Sequence, residues 1–167
     1  LALQSLTSGA NNTCVGAYSG SVETTGAGNT MIGNSSGRLM STCFNNVAVG
    51  QGTMYNAFGA VSNLAMGNGA LDKVTGNQNI ALGEGSGFNI TSGNNNVGVG
   101  FASGYSENTG VGNVYVGNYV AYNAAGCSNN VGVGYLAMES ATTGRDNVAV
   151  GRESLRNIGA NGNVAVG

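Results

Sequence analysis

A five-residue motif recurs ten times along this 167-residue chain and constrains its fold more than any other feature. In each copy an Asn is followed four residues later by a Gly, with small or apolar residues between them, as in Asn46-Val47-Ala48-Val49-Gly50. The motif glycines, which step by 16 or 17 residues, are Gly16, Gly33, Gly50, Gly67, Gly83, Gly100, Gly117, Gly134, Gly151 and Gly167. Self-similarity at so short a period is typical of solenoids and fibres. We therefore expect a stack of coils whose function lies on a surface of the stack.

The motif itself predicts one short β-strand per coil. Apolar, mostly β-branched residues lie one and three residues before the motif Gly, and the residue between them is mostly Ala or Gly. This alternation favours a strand, and we expect its two outer side chains to point into the core. The most regular copies comprise Asn46, Val47, Val49, Gly50, Asn96, Val97, Val99, Gly100, Asn130, Val131, Val133, Gly134, Asn147, Val148, Val150 and Gly151. Strands this short must pair with those of the coils above and below.

Turn residues separate the motif copies. Thr-Gly or Ser-Gly pairs such as Thr75-Gly76 and Thr109-Gly110 precede the next motif, and glycine supplies the positive φ angles that tight turns need. The hydroxyl column that these residues form is better explained by turn hydrogen bonds than by ice binding. The motif Asn either adopts a positive φ itself or stacks its side chain in an amide ladder, and the sequence leaves both alternatives open.

The predicted fold is therefore all-β, a parallel β-solenoid (β-roll) of about ten 16–17-residue coils that forms a single repeat domain over residues 1–167. Because so short a coil encloses few side chains, we expect a further face to associate into a homotrimeric fibre. The chain begins in mid-register and ends on a motif Gly, so we expect an internal segment of a longer fibre protein.

Composition argues against several classes of function. Only 7% of the residues are charged, the net charge is -2, and no cluster of Lys and Arg suits nucleic acid or an anionic membrane. No apolar run is long enough for membrane insertion. Without His there is no Ser-His or Cys-His nucleophile pair, and three dispersed Cys make no zinc site. We expect no enzyme activity, no metal and no cofactor, and we expect Cys43 and Cys127, roughly 24 Å apart in the stack, to stay free.

One set of aromatic residues shares a position, five residues after the motif Gly. Its members are Tyr55, Phe88, Tyr105 and Tyr122, the last three in consecutive coils. Stacked coils would place these rings in a column with steps of about 4.8 Å. Such a column could stack on the sugar rings of a glycan, but packing at a subunit interface or against a turn is the favoured interpretation.

The motif resembles that of a known family. Asn45–Gly50, Asn95–Gly100 and Asp146–Ser154 are similar to the Asn-Ser-Val-Ala-Ile-Gly-x-x-Ser repeat of YadA-type adhesin heads. The 17-residue spacing, with Thr-Gly between copies, is even more similar to repeats of phage tail fibres. The resemblance implies a trimeric, left-handed parallel β-roll on a virion or a bacterial surface.

These observations together predict a structural and receptor-binding segment of a phage tail fibre. It would be extracellular, part of the virion, and would mediate host attachment through a cell-surface glycan or protein receptor. The first alternative is a bacterial trimeric surface adhesin, and a further one is an ice- or glycan-binding solenoid. A glycan-processing enzyme is disfavoured because clustered carboxylates are missing.

Overall fold

The computed structural model describes residues 1–167 and contains ten strands of three residues each, with no helix. Each strand lies between a motif Asn and its Gly. The strands are β1 (Thr13–Val15), β2 (Thr30–Ile32), β3 (Val47–Val49), β4 (Leu64–Met66), β5 (Ile80–Leu82), β6 (Val97–Val99), β7 (Val114–Val116), β8 (Val131–Val133), β9 (Val148–Val150) and β10 (Val164–Val166). They pair in parallel, in chain order, in one ten-stranded sheet. The predicted all-β parallel solenoid is confirmed.

Pairing between coils extends well beyond the strands. Of 99 backbone hydrogen bonds, 81 fall outside the strands, so the turns also bond to the coils above and below. For example, Leu71 N donates to Ser86 O at 3.1 Å, and Thr75 N donates to Thr91 O at 2.8 Å. The shorter repeat before Gly83 leaves the strand register intact, since Leu64 still pairs with Ile80.

The motif asparagines form a buried amide ladder through the stack. Asn113 donates from its backbone N and from Nδ2 to Asn96 Oδ1, both at 3.0 Å, and Nδ2 also donates to Cys127 O at 2.7 Å. Equivalent bonds are made by every motif Asn from Asn29 to Asn147. The positive φ angle lies on the preceding residue, as at Asn45 (57°) and Asn95 (58°). Of the two alternatives, the amide ladder is the one observed.

The prediction that the outer strand side chains point inward was wrong. Ala48, Ala65 and Ala149, at the centres of their strands, are fully buried, whereas Val47 and Val49 on either side of Ala48 are exposed and half-buried. Side chains two residues apart in a strand lie on the same face. Because the motif Asn is buried two residues before the central residue, that residue must also face inward. The columns to which Val97, Val99, Val131, Val133, Val148 and Val150 belong therefore face outward.

Large central residues are accommodated by small neighbours. Tyr115 is 2% exposed and pairs with Gly98 in one adjacent strand and Gly132 in the other. A Cβ atom added to Gly132 would lie 3.4 Å from Tyr115 Cδ1, and one added to Gly104 would lie 3.1 Å from Cδ2. The narrow interior therefore admits a ring only where the coils around it lack side chains.

The motif Gly is required by close approach as well as by its φ angle. Gly50 has a φ of 134°, and a Cβ atom added there would lie 2.8 Å from the carbonyl oxygen of Gly67 in the next coil. Only glycine permits this conformation and this contact at the same time.

The ladder yields the first testable prediction. Asn113→Ala removes the side-chain oxygen that accepts hydrogen bonds from the backbone N and from Nδ2 of Asn130, at 3.0 and 3.2 Å. Stranding these buried donors should lower the free energy of unfolding by about 1–3 kcal/mol or more. The matched control is Asn123→Ala, at an exposed Asn one coil away, which should change it by less than about 0.5 kcal/mol. Guanidinium unfolding followed by circular dichroism measures both, and equal effects would contradict a stabilising ladder.

Candidate functional site

Three of the four aromatic residues singled out in the sequence form a stacked column. The ring centroids of Phe88 and Tyr105 are 5.1 Å apart with an interplanar angle of 6°, and those of Tyr105 and Tyr122 are 5.0 Å apart at 25°. Tyr55 lies outside the column, and its hydroxyl accepts a hydrogen bond from Arg38 Nη1 at 3.1 Å. Asp72 occupies the coil between Tyr55 and Phe88.

A second set of rings was missed in the sequence. Phe101 and Tyr119 meet edge to face at 5.1 Å and 72°, and Tyr119 meets Tyr135 at 6.2 Å and 86°. Tyr119 also meets Tyr122 of the first column at 5.5 Å and 75°. Phe101 and Tyr135 follow their motif Gly by one residue but Tyr119 follows by two, so a search at one fixed position does not find them together.

An open groove of about 300 Å³ lies between the two sets of rings. We call it the aromatic groove; its lining residues are Asn68, Gly69, Glu84, Gly85, Phe88, Phe101, Ala102, Tyr105, Tyr119 and Tyr122. Two glycines keep the rings accessible. A Cβ atom at Gly69 would lie 3.3 Å from the Phe88 ring, and one at Gly85 would lie 3.5 Å from the Tyr105 ring. Phe101 is 40% exposed and offers the most accessible ring of the lining.

The groove carries one carboxylate and no cationic side chain in its lining. Glu84 is exposed and takes part in none of the ion pairs of the chain. Cations lie outside the lining: Lys73 Nζ is 5.3 Å from the Phe88 ring centroid, and the Arg152 guanidinium is 5.7 Å from that of Tyr135. The groove is therefore an aromatic, weakly acidic surface.

Two buried glutamates were also missed. Glu23 and Glu107 each lie seven residues after a motif Gly, among Met, Val, Ile and Ala at the equivalent positions of other coils, and both are buried. Glu107 Oε1 accepts hydrogen bonds from Gly110 N at 2.9 Å and Gly126 N at 2.7 Å, and Oε2 accepts one from Cys127 N at 3.2 Å. The carboxylate thus satisfies turn N–H groups of two coils, which is a structural task.

Burial governs the ionisation of the groups around Glu107. Desolvation raises the pKa of the Glu107 carboxyl, and the three backbone N–H donors oppose the rise without cancelling it. Burial, followed by the nearby Glu107 charge, also raises the pKa of the Cys127 thiol. At Cys43, burial raises the pKa to about 11. A thiol held protonated is a poor nucleophile, and all three cysteines are free, as the sequence predicted.

Two members of the hydroxyl column at the turns, Thr42 and Thr75, donate hydrogen bonds to backbone carbonyls. Thr42 Oγ1 donates to Ser41 O at 2.7 Å, and Thr75 Oγ1 donates to Thr91 O at 3.0 Å. These are turn hydrogen bonds of the kind that the sequence suggested. The hydroxyls of Thr42 and Thr75 are therefore already engaged within the chain.

Further features bear on what the chain can bind. No three Cys, Asp or Glu side chains lie together as a group that could hold a metal ion. No helix with the length and apolar character of a membrane span is present. Comparisons with protein-family models, with curated proteins and with solved structures gave no match. The outward apolar columns and the aromatic groove are surfaces through which this chain can bind a partner or a ligand.

The raised pKa of Glu107 predicts a pH dependence of stability. Between the ordinary glutamate pKa of about 4.3 and the higher folded-state pKa, the folded chain binds more protons than the unfolded chain. The free energy of unfolding therefore falls as the pH rises through this window. Relative to Glu107→Gln, the wild type should gain stability when the pH is lowered from 7 to the ordinary glutamate pKa of about 4.3. Unfolding midpoints at several pH values measure this, with the exposed Glu84→Gln as control; a pH-independent difference would contradict it.

Proposed function

We propose that this chain is a structural and receptor-binding segment of a homotrimeric extracellular fibre, of the phage tail-fibre kind, which mediates attachment to a host cell surface. The observation that carries the proposal is the outward face of the ten-stranded sheet, built from the residues one and three before each motif Gly. We call it the sheet face.

The sheet face is continuous, apolar and accessible in the single chain. From β3 to β10 every outward residue is Val, Leu, Ile or Met, and Met66, for example, is 45% exposed. At about 4.8 Å per strand, the apolar part from β3 to β10 runs for roughly 34 Å along the stack. Soluble monomers rarely expose apolar surface on this scale without a partner.

A second and a third copy of this chain are the partners that fit best. A partner must present apolar side chains at the same spacing over the whole length of the face, and another copy has that spacing by construction. The face is narrow, two side-chain columns wide, and carries no charge. Three such faces can meet around an axis parallel to the stack, where their β-branched side chains would form the core that a single coil lacks.

The backbone pairing supports a mechanical role. The hydrogen bonds between coils run from the first to the last strand without interruption, in the turns as well as in the sheet. Bending the stack would stretch these bonds on one side, which resists deformation. A stiff rod of this kind can hold a receptor-binding surface away from a particle.

A charge on the sheet face should dissociate the fibre without unfolding the chain. Val116 is 36% exposed in the single chain, so Val116→Asp leaves the carboxylate hydrated in a monomer but buries it unpaired in a trimer. We expect light scattering to give the mass of three chains for the wild type and of one chain for the variant, with unchanged circular dichroism.

The matched control lies in the same coil. Val111 is 40% exposed but lies outside the sheet face, so Val111→Asp should remain trimeric. A wild-type chain that is monomeric at micromolar concentration would contradict the proposed fibre. So would a Val116→Asp variant that keeps the trimeric mass.

A further inference from the structure

The aromatic groove has dimensions that match a short chain of sugar rings. The stacked column of Phe88, Tyr105 and Tyr122 forms one wall of the groove. Its rings repeat at 5.1 and 5.0 Å, close to the rise of about 4.8 Å per coil and to the spacing of successive sugars in an extended oligosaccharide. A linear oligosaccharide lying along the stack would therefore place about one sugar beside each ring. The volume of about 300 Å³ is at the lower end of ligand sites, which favours two or three sugars over a polypeptide segment.

The groove also combines the two kinds of contact that a sugar requires. Pyranoses have apolar C–H faces and polar edges, and the accessible Phe101 ring offers an apolar surface for the former. Asn68 and Glu84, each one residue after a motif Gly in adjacent coils, supply an amide and a carboxylate to the groove. Both groups accept hydrogen bonds from sugar hydroxyls, and the amide also donates them.

Charge disfavours anionic ligands. No Lys or Arg lines the groove, and the unpaired Glu84 carboxylate would repel an acidic sugar or a phosphate. The expected ligand is therefore not an anion.

Along the stacked column, the orientation of the rings disfavours a cationic ligand. A quaternary ammonium group binds over the face of an aromatic ring. The faces of Phe88 and Tyr105 are stacked on each other at 6°, and Tyr122 continues the stack at 25°, so this wall presents mainly ring edges. Edges carry partial positive charge, which suits the oxygen atoms of a sugar better than a cation.

We infer that the aromatic groove, built from Phe88, Phe101, Tyr105, Tyr119, Tyr122 and Glu84, binds a neutral oligosaccharide of a cell-surface glycan. This inference rests on the proposed attachment function, to which it adds the site and the ligand class. The ring column thus serves recognition, and assembly uses the sheet face.

The test is a glycan array with neutral and sialylated oligosaccharides, probed with the wild-type chain. Isothermal titration with the strongest neutral glycan then gives a dissociation constant. We expect Phe101→Ala and Tyr105→Ala to weaken binding by about tenfold, the order that one aromatic contact contributes. Tyr55→Ala is the matched control, because Tyr55 shares the position of Tyr105 in its coil but lies outside the groove. It should bind as the wild type does.

Two further measurements separate the rival outcomes. Phe101 is exposed, so Phe101→Ala should keep the wild-type unfolding midpoint and report on binding even if Tyr105→Ala is destabilised. Tetramethylammonium should not compete with the neutral glycan, because the stacked column presents ring edges to the groove. Competition by tetramethylammonium that Glu84→Gln abolishes would overturn the inference in favour of a cation site. Binding confined to sialylated glycans, or an array without any neutral ligand, would overturn it as well.

The oligomeric mass distinguishes this inference from the proposed function. A trimer that binds no neutral glycan would support the proposed fibre but contradict the groove as its recognition site. A monomer whose glycan binding is lost in Phe101→Ala would support the groove as a glycan site but contradict the proposed fibre.

Discussion

The buried ladder of motif asparagines is the interaction on which the rest of the structure depends. Each side-chain amide donates from Nδ2 to the Asn Oδ1 of the preceding coil and to a backbone carbonyl of the following coil. Its own Oδ1 accepts hydrogen bonds from the Asn of the following coil, as Asn113 shows. A polar group with these bonds is stable inside the solenoid, whereas the same group without them would be costly. The ladder therefore sets the register of the strands and determines which face of each strand is inside.

The narrow interior that follows from the ladder explains the unusual composition. Only small central residues fit beside the amides, and larger ones such as Met31 and Tyr115 require glycines in neighbouring coils, Gly37 and Gly132 among them. Glu107 is tolerated inside because it accepts three backbone N–H bonds. Most large apolar residues consequently lie outside this interior, and many of them form an exposed apolar surface on the single chain.

Assembly and recognition are assigned in our proposal to different parts of the coil. The sheet face is uniform along the stack, as an interface between copies of one chain requires. The aromatic groove is confined to a few coils, where glycines at positions 69 and 85 uncover the rings. Because the backbone repeats so closely, changes at such outward positions alter the surface without disturbing the ladder. A fibre of this kind can acquire a binding site at small structural cost.

The sequence by itself determined the parallel solenoid, the bounds of the strands and the column of Phe88, Tyr105 and Tyr122, because all of these follow from a repeat of nearly constant length. It could not determine which strand face is buried. Alternation shows which residues share a face, and the hydrophobicity of Val47 and Val49 favoured their face as the buried one. In the structure the amide ladder is buried on the opposite face, so Ala48 lies inside and the two valines point outward. Only the tertiary structure placed Phe101 and Tyr119 opposite the column, because their positions differ between coils. Only the tertiary structure showed that Glu107 is buried, because a carboxylate is tolerated there only where backbone N–H donors from another coil reach it.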